Sequence, residues 1–263
     1  MALIRIGFHS TALGMDTACD VVLPQLPDPD QPARRFPAML LLHNLTKSHS
    51  TWQRMTGIER YAATRGVAVI MPDALLSSYA DMIHGGSYFT YIADELLPAM
   101  RRFFPLSEKR EETMICGASM GGYGALKIGI HRPDTFGVVG SLSSGFTSIT
   151  TYIGRPDDRG ISLEYLTFEQ DGLARENADT KRRILSLASS DGPRPRIFMC
   201  IGSEDKILLD NTRESRDFFQ SIPDHPFDFT YAEYPGGHNW TFWDGHICDF
   251  LAFAGYGAHI GTY

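Results

Sequence analysis

Positive charge is scarce in this chain of 263 residues: 24 Lys and Arg stand against 31 Asp and Glu, a net charge of −7, with no basic run. Nothing gathers phosphates, so nucleic acid is not an expected partner. Long apolar runs are missing too. The longest, such as 38–42 and 67–71, fall far short of the roughly 18 residues a membrane helix requires, so no membrane partner is expected. The four cysteines, Cys19, Cys116, Cys200 and Cys248, form no C-x-x-C pair and lie far apart, so they read as reduced, mostly buried thiols rather than metal ligands. The opening MALIRIGFHS lacks the basic segment, apolar run and cleavage site of an export signal, and a cytoplasmic protein is the expectation. Internal repeats, low-complexity tracts and domain-separating linkers are also absent.

What remains is an ordinary folded chain, 43% hydrophobic and 21% charged, long enough for one large α/β domain. Apolar residues alternate at Ile4, Ile6 and Phe8 and again at Cys19, Val21 and Leu23, which predicts two half-buried strands, followed by a Pro-rich turn at 24–32. Short unbroken apolar runs at 39–42, 67–71, 114–116, 138–139 and 197–201 predict strands covered on both faces. Helical spacing separates them, as at Ile92, Leu96, Met100 and Phe103, where Pro98 should kink the helix. Strand and helix alternate, so the expected fold is α/β with a mainly parallel central sheet flanked by helices. Phe227, Phe229 and Tyr231 alternate with polar residues and read as a strand at or near an edge. The charged stretch 147–192 breaks this rhythm. It reads as a small cap insertion over the site within a single domain, 1–263.

The segment TMICGASMGGYGALKIGI runs strand, sharp turn, helix around Gly117-Ala118-Ser119-Met120-Gly121, a G-x-S-x-G match that makes Ser119 the candidate nucleophile. Glycines flank such a serine because the turn is strained and neighbouring backbone approaches closely. A serine hydroxyl needs a histidine to take its proton, and on this type of sheet the chain order is serine, acid, histidine. His238, in the Gly-rich loop after the 227–231 strand, fits that order; His246 falls in a predicted helix and His259 in the tail. The acid should follow the 197–201 strand, where Glu204 and Asp205 compete. Spacing alone favours Asp205 only modestly, and Asp73 precedes the serine and breaks the order. The two backbone donors of an oxyanion hole are expected from Met120 N–H, directly after the nucleophile, and Leu45 N–H, in the loop after the 39–42 strand. His43 reads as a support of that loop. Trp240 and Phe242 are expected to crowd the acyl end of the pocket, with Asn44 beside it, and His84, Tyr88 and Phe89 to line the alcohol side.

With those residues placed, the chain resembles the tributyrin esterase branch of the esterase D group of α/β-hydrolases. The resemblance spans nearly the whole chain and is carried by FHSTALGMDTACDVVLP, HNLTKSHSTW, VAVIMPD, SYFTYIADELLPAMRRFFP, GASMGGYGAL, GSEDKIL and PGGHNWTFWD. It implies an α/β-hydrolase fold and a triad of Ser119, Asp205 and His238. It further implies cofactor-free hydrolysis of short-chain acyl esters by a cytoplasmic enzyme, with self-association as a dimer or tetramer among relatives. Asn44 departs from the pattern, since relatives commonly carry Gly after the histidine. The related S-formylglutathione hydrolases typically carry D-T-S-P-R-G where this chain reads Asp73-Ala74-Leu75-Leu76-Ser77-Ser78, which argues against a glutathione thioester. Feruloyl and acetyl-xylan esterases of related sequence are usually secreted, although small feruloyl or acetylated-sugar esters remain chemically suitable.

Overall fold

A computed structural model describes residues 1–25, 35–146, 154–169 and 171–257; His259, the segment 147–153 and most of the Pro-rich turn lie outside them. Eight strands form one sheet: β1 (Ala2–Ser10), β2 (Met15–Leu23), β3 (Ala38–Leu42), β4 (Ala68–Pro72), β5 (Thr113–Ala118), β6 (Val138–Leu142), β7 (Arg196–Gly202) and β8 (Phe229–Tyr234). Their order is β1-β2-β4-β3-β5-β6-β7-β8. The β1–β2 hairpin and the β2–β4 pair are antiparallel, and every other pair is parallel. The five expected core runs fall on β3 to β7. Strand β8 is an edge strand, as its alternation predicts.

The N-terminal pair differs from expectation in one respect. Strand β1 alternates between exposed and half-buried, but Cys19, Asp20, Val21 and Val22 of β2 are all buried. Pairing with β4 on its other side puts β2 inside the sheet. Its buried Asp20 carboxylate takes the Arg5 guanidinium in two bonds of 2.9 and 3.1 Å, so no unpaired charge is left there.

Helices cover both faces. On one side α1 (Thr51–Met55), α2 (Ile58–Arg65) and the C-terminal α8 (Trp240–Phe253) pack against Met39, Leu41, Val69 and Cys116. On the other, α3 (Leu97–Phe103), α4 (Met120–His131) and α6 (Gly172–Ala188) bury Leu40, Ile70, Ile115 and Val139. Alternate residues of each central strand thus serve opposite cores, which is why those strands read as continuous apolar runs. The described residues also form the short α5 (Leu163–Phe168), the three-turn α7 (Leu209–Gln220) and single helical turns at Tyr88–Thr90 and Arg110–Glu112.

The disturbance expected at Pro98 falls in the turn before it: Tyr91–Leu96 winds as a π-helix that runs directly into α3, whose second residue is Pro98. Ile92, Leu96 and Met100 are buried as the spacing predicts, whereas Phe103 is exposed.

The stretch 147–192 divides in two. Helix α6 packs on α4 and sends Ile184 and Leu187 into the core, so it serves as the crossover between β6 and β7. Before it, α5 lies over the loop that follows β4: Ile83 N–H donates to Thr167 O (3.1 Å), His84 N–H donates to Leu166 O (3.0 Å), and Phe168 packs on Ala80. Among the described residues of this stretch, the part that lies over the β4 loop is therefore α5, while α6 belongs to the main fold.

Candidate active site

Strand order reverses between β3 and β5: the chain proceeds from β3 to β4 on one side and from β5 to β8 on the other. The carboxyl ends of two adjacent parallel strands at such a point leave a crevice. The loop that carries Asn44 and Leu45 leaves β3 there, and the G-x-S-x-G turn leaves β5 beside it, since Leu42 pairs with Gly117.

Ser119 sits at φ 56°, ψ −122°, a strained conformation for a residue with a side chain. It is held by its N–H, which donates to Leu142 O of β6 (2.9 Å), and by its own carbonyl, which accepts from Tyr123 N–H (3.0 Å). The flanking glycines are required by contact: a Cβ on Gly117 would run into the Gly121 carbonyl, and one on Gly121 into the Leu42 carbonyl. Met120 begins α4, and no side chain caps that helix, so its first N–H groups and dipole face the crevice end of the sheet.

Three distant chain segments meet at this serine. His238 Nε2 is 2.9 Å from Ser119 Oγ, and His238 Nδ1 is 2.7 Å from Asp205 Oδ2. A carboxylate only accepts, so Nδ1 carries the proton and Nε2 is left to accept from the serine hydroxyl. Asp205 is almost fully buried, and its other oxygen accepts from Ile207 N–H and Leu208 N–H, both at 3.0 Å. Burial opposes its charge, but the His238 hydrogen bond, the imidazole charge and the two backbone donors outweigh that and hold its carboxyl below the usual range. The competing Glu204 is exposed. The turn closed by Asp205 N–H on Gly202 O (3.0 Å) tucks the second carboxylate inward, a detail spacing does not carry.

Sequence reasoning missed Trp243. Its ring stands edge-on to the His238 imidazole at 5.1 Å and 89°, and its Nε1–H donates to Ser143 Oγ (3.0 Å), fixing one side of the histidine. Ser143, at the end of β6, is itself at φ 50°. The only signal in the sequence is the i, i+3 pair of tryptophans in WTFWD at the start of α8.

The remaining expected residues fall as follows. Leu45 and Asn44 lie in the loop after β3, both half-buried, with Thr46 at φ 63° completing the turn. The Asn44 side-chain oxygen is buried and has no hydrogen-bond partner among the described residues. His43 is buried and bonded at both nitrogens: Ala74 N–H donates to Nε2 (3.0 Å), which leaves Nδ1–H to donate to Asn44 O (2.8 Å). Burial pulls its ionisation down, in keeping with a neutral loop support. Trp240 is packed edge-to-face between Trp52 and Trp243, at 5.0 Å from each. His84 is engaged by the cover: Nε2 lies 3.2 Å from Glu169 Oε1, and the ring stacks on Tyr165 at 5.3 Å. His246 stacks on Tyr234 and pairs with Asp249 (2.7 Å).

A mainly parallel eight-stranded sheet with helices on both faces and a serine on a strained turn after its central strand defines an α/β-hydrolase-fold protein. The esterase family model matches residues 10–254, and the chain belongs to that family. It is 30% identical to an acetyl esterase of Caldicellulosiruptor saccharolyticus, over 95% of this chain and 96% of that one. Among solved structures it is similar to the Staphylococcus aureus fluorophosphonate-binding serine hydrolase F, FphF, solved with substrate bound. That likeness has a TM-score of 0.85 at 29% identity, covering 96% of this chain and 98% of the other. It is also similar to the S-formylglutathione hydrolase FrmB of the same organism, with a TM-score of 0.78 at 27% identity over 96% and 98% of the two chains. The chain is thus a serine hydrolase of the esterase type.

Proposed function

We propose that this esterase hydrolyses short-chain acyl esters through an acyl-enzyme on Ser119. The observation that carries the reading is the unbroken hydrogen-bonded chain Ser119–His238–Asp205, with links of 2.9 and 2.7 Å, at the switch point of the sheet. His238 Nε2 takes the Ser119 proton as Oγ bonds to the ester carbonyl carbon, and Asp205 stabilises the imidazolium that results. Negative charge collects on the former carbonyl oxygen, where Leu45 N–H and Met120 N–H supply the donors. On collapse the C–O bond breaks and His238 returns the proton to the leaving alkoxide. Water then gives its proton to the same nitrogen as its oxygen attacks the acyl carbon, and when the bond from that carbon to Ser119 Oγ breaks His238 returns the proton to Oγ, which frees the carboxylic acid. Every proton taken is returned, so the cycle needs no cofactor.

The named relative, an acetyl esterase, supports a small acyl group. Leu75 and Leu76 stand exposed in the segment where S-formylglutathione hydrolases typically carry D-T-S-P-R-G, and Ser77 takes the place of the arginine, which supports an uncharged ester over a glutathione thioester. No helix among the described residues is long and apolar enough to cross a membrane. The same reading places the enzyme in the cytoplasm, as a homo-oligomer whose size sedimentation would give. A panel of p-nitrophenyl acetate, butyrate and octanoate, with S-formylglutathione, feruloyl and acetylated-sugar esters, tests it. Acetate or butyrate should lead in kcat/KM; equal or higher activity on octanoate, or dominance of the thioester, would overturn it.

A further inference from the structure

Ladder pairing between β3 and β5 ends at Leu42–Gly117, so beyond Leu42 the sheet no longer holds the loop that carries Leu45. Side chains take over. Three consecutive carbonyls are each bound by one: Leu42 O accepts from Trp52 Nε1–H (2.9 Å), His43 O from the Tyr79 hydroxyl (2.8 Å), and Asn44 O from His43 Nδ1–H (2.8 Å), with a longer turn bond from Lys47 N–H (3.3 Å) beside the last. In a trans peptide the N–H points opposite to the preceding C=O, so tying Asn44 O to the imidazole aims Leu45 N–H away from it. The direction of that imidazole is set from two sides, by Ala74 N–H at Nε2 (3.0 Å) and by the setting of the His43 backbone, and among the contacts described only the Tyr79 hydroxyl fixes the His43 carbonyl.

Tyr79 is an expensive residue to place there. Ser78 and Tyr79 stand at φ 51° and 52°, two successive left-handed conformations without glycine, which side chains make unfavourable. The ring is wholly buried, and α4 makes room for it at Gly124, where a Cβ would collide with the ring. Ser77 Oγ accepts the Tyr79 N–H (3.1 Å) and steadies the turn. Burial pushes the phenol's ionisation far up, so it remains a donor at any working pH. A strained backbone, a glycine vacated for the ring and a hydroxyl spent on a loop carbonyl converge on one task.

We propose that Tyr79 is a positioning residue for the reaction: its buried hydroxyl, bonded to the His43 carbonyl, holds the loop that aims the Leu45 donor at the developing oxyanion. This rests on the Ser119 esterase reading above. The loop lies directly on the first turn of α4, because the Leu42 and His43 carbonyls crowd Gly121, so a small rotation changes the spacing between the Leu45 and Met120 donors.

Tyr79→Phe keeps the ring and removes the bond. Hydrolysis of p-nitrophenyl acetate should lose about 10- to 100-fold in kcat, below the loss for deleting a donor outright, with KM little changed. The pH midpoint of kcat/KM should not move, because the Ser119–His238–Asp205 chain is untouched. Inhibition by an alkylboronic acid, which presents a tetrahedral oxygen to the donors, should weaken by the same factor as kcat/KM. Gly124→Ala presses on the ring while keeping the hydroxyl and should show the same pattern, so it decides the matter if Tyr79→Phe does not fold. A purely structural tyrosine would lower the melting temperature alone. Folded variants with kcat and boronate inhibition within twofold of wild type would overturn the inference. A wild-type protein inactive on every ester would instead overturn the functional reading.

Discussion

Replacing Asp205 by Asn tests the relay with almost no change of shape. One carboxylate oxygen accepts the Ile207 and Leu208 N–H groups at 3.0 Å, and the amide oxygen of Asn can keep both. The other side of the amide then presents N–H₂ to His238 Nδ1, where a carboxylate oxygen stood 2.7 Å away. Two donors cannot face each other, so the proton moves to Nε2 and Nδ1 becomes the acceptor. The nitrogen facing Ser119 at 2.9 Å can then no longer take its proton. The loss expected for such a wrong tautomer is about 10⁴ in kcat, about 5.4 kcal/mol of transition-state stabilisation. Steady-state hydrolysis of p-nitrophenyl acetate measures it, with a thermal melt to confirm folding. Glu204→Gln, on the exposed neighbour, should stay within about twofold of wild type, as surface changes do. Asp205→Asn retaining activity within tenfold, or a larger loss from Glu204→Gln, would refute the reasoning. Because the Asp205 carboxyl is held below its usual range, it stays ionised through mildly acidic pH and does not set the acid limb of the activity profile.

Two further outcomes follow from other parts of the structure. Glu233 on β8 accepts from Arg213 of α7 at 2.8 and 2.7 Å and from the Tyr231 hydroxyl at 2.7 Å, and chiefly the Arg213 bond lowers its carboxyl to about 2. A depressed folded-state value contributes stability above the unfolded value of about 4.3 and loses it as the pH falls toward 2. Urea unfolding should therefore show Glu233→Gln less stable at pH 7 by about 1 kcal/mol, discounted for solvent screening, with the gap narrowing below about pH 4 and closing only toward pH 2; a constant gap would contradict it. Gly121→Ala drives a methyl group into the Leu42 carbonyl and should cost activity together with several degrees of melting temperature, whereas a neutral result would show the turn can yield.

The parts of this molecule legible in sequence are those with a repeating physical signature. Double-faced burial makes β3 to β7 read as short apolar runs, and the tight approach of Gly117 and Gly121 to neighbouring backbone makes the serine turn readable. His238 follows from topology, since only one loop after the last strand offers a histidine beside glycines. Asp205 against Glu204 depends on which way one turn folds, and neighbouring positions carry no sign of that. Trp240 reads as a pocket wall because it is bulky and follows the histidine by two residues, and its ring is held between Trp52 and Trp243. Trp243 and Tyr79 act through contacts with chain segments far away in sequence, so no local pattern announces them. Helix α6 hid inside a charged stretch because its outer face is polar and only Leu173, Thr180, Ile184 and Leu187 are buried.

The account depends on Ser119 becoming covalently bonded to substrate, and a fluorophosphonate reports that directly, by forming a stable bond to an activated serine oxygen. Intact-mass and peptide mass spectrometry after labelling should show one adduct per chain, located on Ser119, and none in Ser119→Ala. An adduct on another residue, or an unlabelled wild-type protein that still hydrolyses esters, would contradict it.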